Sequence, residues 1–138
     1  MSNVIIYTND LGGVSICVPA GDTTIEQVQS TDIPEGVISY IVKLSSLPIN
    51  DMDFFDAFEQ VEGIVSININ KAKEITKARL RWQREPLLIA QDIEFQRAIE
   101  TGSDTSSVIT EKQRLRDITR QADMCNTTNE LRAISVYQ

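Results

Sequence analysis

This chain of 138 residues contains no histidine, so it lacks the commonest general acid–base group and the commonest metal ligand. The side chains left for acid–base, nucleophilic or ligand chemistry are carboxylates, two cysteines and three tyrosines. Asp51, Asp53 and Asp56 form one acidic cluster, and Asp92 with Glu94 a second. On a helix, Asp53 and Asp56 are neighbours at i, i+3, a spacing that invites a divalent cation. The cluster has neither the loop spacing nor the bidentate glutamate of a calcium loop, and helix capping with solvation accounts for it better. Cys17 alternates with Val14, Ile16 and Val18, while Cys125 sits near a helix end. Without a CxxC pair or a histidine partner, both read as reduced structural thiols. Tyr7, Tyr40 and Tyr137 show no spacing that joins them. Gly12-Gly13 joins two strands and opens no helix, so it reads as a turn and not a phosphate cradle. No catalytic residue, metal or cofactor is assigned. The chain is expected not to be an enzyme.

Charge offers a different chemistry. Lys71, Lys73, Lys77, Arg79, Arg81 and Arg84 are opposed by Glu74 alone and interleaved with Trp82. Basic side chains around an aromatic can meet nucleic-acid phosphates, which makes a nucleic-acid-binding or packaging accessory using the basic helix 71-84 the alternative reading. The formal net charge of −7 opposes it, because the long-range field repels a polyanion. The charge is also divided. Residues 1-70 hold all but ten of the 20 acids and a single base, Lys43, whereas residues 71-138 are nearly balanced. That asymmetry predicts two units, a small β-rich domain over 1-70 and a helical hairpin with a short terminal helix over 71-138. No apolar run approaches the ~20 residues that span a bilayer. Met1 to Val4 has no basic region before a hydrophobic stretch, so a soluble, unsecreted protein without membrane contact is expected.

The elements that must position these residues follow from periodicity. Val4 to Tyr7 and Val14 to Val18 are strand-like, and the turn residues between them predict a β-hairpin. Thr23 and Glu26 are spaced as a capping box for a short helix. Val37 to Leu44 predicts a third, well-buried strand. Asn50 or Asp51 can cap a short helix that gathers Phe54, Phe55 and Phe58 against the sheet. Val65, Ile67 and Ile69 alternate with polar residues as a fourth strand.

From Lys71 to Glu100 the period lengthens, with apolar residues at Ile75, Ala78, Trp82, Ile89, Ile93 and Ile99. This predicts one long amphipathic helix, kinked at Pro86 where a backbone donor is lost. Gly102 ends it and Asp104 caps the next, which carries Val108, Ile109, Leu115, Ile118 and Ala122. Thr127 and Glu130 open a short last helix. The expected fold class is α+β, a small antiparallel β-sheet followed by a long C-terminal α-helical hairpin. Ile75, Trp82, Ile89 and Ile93 should form one stripe facing Leu115, Ile118 and Ala122. Two helices cannot cover so wide a stripe, so part of it is expected in an intermolecular contact anchored by Trp82. Lys112 or Arg116 reaching Asp92 or Glu94 would fix the register of the hairpin.

The helical residues also carry a resemblance. Arg81-x-x-Arg84-x-x-x-Leu88-x-x-x-Asp92, followed one helix later by Lys112-x-x-Leu115-Arg116-Asp117, resembles the C-terminal segment of small tailed-bacteriophage proteins known as tail assembly chaperones or tail-fibre-associated proteins. Gln91 stands where those proteins often have a leucine before the aspartate. The β-rich opening, Ile5 to Gly21, looks like the front of the same proteins. The resemblance implies a non-enzymatic bacteriophage protein of virion morphogenesis. Its partner would be a tail or tail-fibre protein, with a homo-oligomer as a further possibility. Its place would be the host cytoplasm during assembly or the virion tail. The candidate partner-binding residues are Trp82, Arg79, Arg81, Arg84, Ile89, Ile93, Leu115 and Arg116.

Overall fold

Val4, Ile5 and Ile6 are all fully buried, which requires the strand that carries them to be covered on both faces. That strand, β1 (Asn3–Thr8), is the centre of a three-stranded antiparallel sheet ordered β2-β1-β3, where β2 is Val14–Cys17 and β3 is Ser39–Lys43. The structure is a computed structural model describing residues 2–137. It divides into two compact units, Met1–Ala72 and Lys73–Gln138. On one face of the first unit's sheet, Val4, Ile6 and Val14 pack with Leu47 and Phe58, and Tyr40 and Val42 join from β3. The other face carries Ile5, paired with Cys17 and Ile41. Helix α1 (Ile25–Thr31) lies against it, burying Val28 and donating from Gln29 Nε2 to Ser39 Oγ at 3.1 Å.

The loop between β1 and β2 is organised by one side chain. Asn9 Oδ1 accepts from the amides of Leu11 and Gly13, and Asn9 Nδ2 donates to Ser15 Oγ. Gly12 adopts φ +83, but Gly13 does not enter the left-handed region, so only one of the two glycines is required by the turn.

Several boundaries differ from the sequence expectation. The capping box of α1 is Thr24 with Gln27, one residue later than Thr23 with Glu26, because Thr24 is the residue with extended backbone at the helix start. The third strand is shorter and less buried than expected, with Ile41 largely exposed at the sheet edge. Residues Ile49–Ala57 form 3₁₀ turns in place of an α-helix, and Phe58 opens a strand. The aromatic cluster nevertheless packs on the sheet, with Phe55 and Phe58 edge to face at 5.3 Å. A second hairpin, β4 (Phe58–Val61) and β5 (Ile64–Ile67), replaces the single fourth strand. Its two-residue turn places both Glu62 and Gly63 at positive φ, the geometry that matches strand twist.

Ile69 belongs not to that strand but to α2 (Ile69–Thr101), which runs unbroken through Pro86. After Gly102, at φ +69, α3 (Ser106–Asp117) opens with Thr105 and not Asp104 at its N-cap position, and Asp104 Oδ1 accepts from the Ser106 amide from one residue further out. The expected second helix does not continue to Ala122. It stops at Asp117, and a separate short α4 (Arg120–Asp123) carries Ala122. Thr127 caps α5 (Thr128–Ala133) as expected, its Oγ1 accepting from the Glu130 amide at 3.1 Å. Leu80, Leu115, Ile118, Ala122, Leu131, Ile134 and Val136 form the buried apolar set of this unit. Among the described residues, no helix is long and apolar enough to cross a membrane.

Candidate functional site

Residues on a helix share a face when their positions differ by multiples of ~3.6. Trp82, Pro86, Ile89 and Ile93 are spaced 4, 3 and 4 apart and at ~100° per residue fall within roughly 60° of arc. The sequence therefore places Trp82, Ile89 and Ile93 on one stripe of α2, as expected, and adds Pro86 to it, while the fourth expected member, Ile75, is half-buried. The structure turns that stripe the other way. Trp82 is 79% exposed, Ile89 52% and Ile93 49%, so none of them faces Leu115, Ile118 or Ala122. This corrects the expected interior of the hairpin. After Leu80, no residue of α2 is fully buried.

The inner face of this half of α2 is held by polar and mixed contacts. Arg84 Nη1 donates to the carbonyls of Leu115 and Arg116 at the C-terminal end of α3, at 3.3 and 2.9 Å. Lys112 Nζ reaches Asp92 Oδ1 at 2.7 Å and lies 5.0 Å from the centre of the Phe95 ring. The expected register contact is thus made by Lys112 and Asp92, while Glu94 pairs with Arg97 along α2. A cation over an aromatic ring contributes ~0.5–1 kcal/mol at an exposed site, and an exposed ion pair ~0.2–1 kcal/mol. These contacts orient the two helices and leave the outer face untouched.

The remaining candidate residues divide between interior and surface. Leu115 is 1% exposed and belongs to the core of the second unit, which corrects its assignment to a partner-binding surface. Arg79 Nη2 donates to Leu131 O and Ile134 O at the end of α5, at 3.2 and 3.0 Å. Arg114 does the same for Val136 O while its guanidinium grips Glu111. Arginines at helix C-termini satisfy carbonyls that the helix leaves without donors, and they oppose the dipole. Arg79 and Arg84 therefore serve the fold. Arg81 and Arg116 are exposed, and the side chain of Arg81 makes no hydrogen bond or ion pair among the described residues.

The basic stretch is similarly occupied. Lys71 Nζ pairs with Glu59 at 2.8 Å, Lys73 donates to the Asp123 carbonyl, and Lys77 pairs with Asp123 at 2.6 Å. The Asp123 bond holds the Lys77 ammonium above its usual range, and the Lys77 bond holds the Asp123 carboxyl below its own. Lys71 bonded to Glu59, with Asn68 assisting, lowers the Glu59 carboxyl in the same way. Five of the six cations already have their donors committed inside the protein. A phosphate clamp along 71-84 would have to break those bonds.

Cys17 and Cys125 are both free, and burial pushes each thiol above its usual range, which disfavours the reactive thiolate. Cys125 Sγ donates to Gln121 O at 3.3 Å. Asp51, Asp53 and Asp56 do not converge with other ligating side chains. Among the described residues, no three His, Cys, Asp or Glu side chains are grouped to hold a metal ion. One cleft of about 230 Å³ lies beside Asn9, Gly13, Val14, Phe55 and Asp56. It contains one carboxylate and no second titratable group, too little for paired acid–base work.

The apolar seam of α2 is one of the exposed apolar surfaces, Val61 and Ile64 of the second hairpin being another, and it is the one laid out along a helix. Every buried side-chain nitrogen and oxygen among the described residues has a hydrogen-bond partner, so the protein's polar groups are satisfied while four apolar residues in a row are not. Compared with protein-family models, with curated proteins and with solved structures, the chain matches none.

Proposed function

We propose that this is a non-enzymatic bacteriophage protein of virion morphogenesis, which binds another tail or tail-fibre protein through the outer face of α2. It acts either as an assembly chaperone or as a minor tail component. The observation that carries the reading is the exposed seam of Trp82, Pro86, Ile89 and Ile93. Its 4-3-4 spacing is that of a helix seam made to receive another helix. The phage assignment draws its support from the Arg81 to Asp92 and Lys112 to Asp117 motifs. The acidic first unit would favour solubility in the host cytoplasm before assembly. The nucleic-acid alternative draws less support, since the donors of 71-84 are committed elsewhere.

Co-purification from infected cells, with the bound protein identified, tests the reading. A tail or tail-fibre protein is expected, and Trp82→Ala should weaken its binding by ~2 kcal/mol or more, as for an interface anchor. A partner outside the tail, or binding indifferent to Trp82, would overturn it. Mass spectrometry of purified virions then separates a resident component from a chaperone that leaves.

A further inference from the structure

We infer that, before any tail partner arrives, the seam of α2 is covered by the same seam of a second copy lying antiparallel to it. The inference rests on reading the outer face of α2 as a binding surface, and it adds the occupant of that surface in the free protein.

Shape selects the orientation. The spacing 82, 86, 89, 93 is symmetric about the point between Leu87 and Leu88. An antiparallel pair sets Trp82 of one copy opposite Ile93 of the other, and Pro86 opposite Ile89. Each layer then joins a large or rigid ring to a branched aliphatic side chain. A parallel pair would stack tryptophan on tryptophan at one end and leave only isoleucines at the other.

Charge selects the same orientation. The first part of α2 is basic and the last part acidic; there Asp92 is paired with Lys112 and Glu94 with Arg97, which leaves Glu85 and Glu100 as the acids without an ion-pair partner among the described residues. Lys71 and Lys77 are neutralised by Glu59 and Asp123. Arg79 and Arg84 are turned inward onto carbonyl oxygens of α5 and α3, which leaves Arg81 as the exposed, unpaired cation of the basic part among the described residues. At the other end, Glu100 bonds only the neutral Gln96 amide. Antiparallel copies bring the basic part of each helix over the acidic part of the other and oppose their dipoles, whereas parallel copies place like over like.

Area sets the strength. Trp82, Pro86, Ile89 and Ile93 together expose on the order of 400 Å² per copy, about half the ~800 Å² per partner of a stable interface. The dimer should be weak and concentration-dependent, so a partner with a larger surface can displace it.

Sedimentation velocity of the purified full chain, from micromolar to millimolar concentration, should show a reversible monomer–dimer equilibrium. Trp82→Ala should weaken it by about tenfold or more, and Arg81→Glu should weaken it several-fold at low salt. Orientation is read by cross-linking in a chain whose Cys17 and Cys125 are replaced by alanine. Ala78→Cys and Gln96→Cys proteins should form a disulfide when mixed, and neither should do so alone. A monomer at every concentration would overturn the inference. So would a dimer unmoved by Trp82→Ala, or an Ala78→Cys protein that cross-links to itself. Loss of the dimer with a tail protein still captured through Trp82 would remove the self-pairing alone. A dimer that forms while no tail protein is captured would remove the proposed function alone.

Discussion

The two faces of α2 beyond Leu80 both carry apolar residues, Leu87, Leu88, Phe95 and Ala98 half-buried on one and Trp82, Pro86, Ile89 and Ile93 exposed on the other. Beyond Leu80, the face turned inward is held by Arg84 on carbonyl oxygens, by Lys112 between Asp92 and Phe95, and by half-buried Leu87, Gln91 and Phe95. The face turned outward carries Trp82, Pro86, Ile89 and Ile93. A surface helix of a globular protein typically turns its apolar stripe inward. The difference teaches that hydrophobic periodicity identifies which residues favour burial, and says nothing of whose surface buries them.

The largest test of this contrast is a pair of truncations. Leu115→Ala removes a fully buried side chain and should destabilise the second unit by ~2–5 kcal/mol. Trp82→Ala removes a larger side chain that is mostly exposed and should change stability by ~0.5 kcal/mol or less. Urea unfolding of both proteins separates the faces. A Trp82 variant that unfolds as early as the Leu115 variant would place Trp82 in the core after all.

pH sharpens the comparison, because the titrating contacts of this unit hold its interior and not its seam. Asp123 and Glu111 are lowered, by Lys77 and Arg114 respectively. Their contribution is complete above the ordinary carboxylate value of ~4 and is lost as pH falls through the lowered native values. Lys77 is raised, so its contribution is complete below the ordinary lysine value of ~10.4 and is lost as pH rises past the native one. Thermal midpoints should therefore fall at both extremes. Lys77→Met should flatten the alkaline fall, while Trp82→Ala should leave the profile unchanged. A profile altered by Trp82→Ala would tie the seam to the interior.

The smallest effect lies in the β4–β5 turn. Glu62 adopts φ +53, which suits asparagine better than glutamate, so Glu62→Asn should raise stability by a few tenths of a kcal/mol. Calorimetry on the full chain reads it, and a lowered midpoint would show that Glu62 makes a contact worth more than the backbone strain.

Local signals in the residues themselves made much of the fold legible. The alternation of Val14, Ile16 and Val18 with Ser15 and Cys17, after the turn residues Asn9 to Gly13, identifies the first hairpin, and Thr127 with Glu130 identifies the start of the last helix. The break at Gly102 and the Asp92–Lys112 contact were also readable, since positive φ and opposite charge are properties of single residues and pairs. The second hairpin was missed because three phenylalanines at helical spacing outweighed a Glu-Gly turn. Its signal was Phe58 to Val61 and Ile64 to Ile67, two short β-prone runs on either side of Glu62-Gly63.

The sequence by itself determined that the chain is α+β, that α2 is long and amphipathic, and that Trp82, Ile89 and Ile93 share one stripe. These follow from local propensity and from the fixed angle between successive residues. Only the tertiary structure decided which way that stripe turns and what the arginines do. Rotation of a helix about its own axis is set by everything packed against it. Here Leu80 in the core, Arg79 on the end of α5 and Arg84 on the end of α3 hold one side of α2 inward. Those contacts join residues roughly 30 to 55 positions apart, beyond the reach of any periodicity, and they leave the apolar seam facing out.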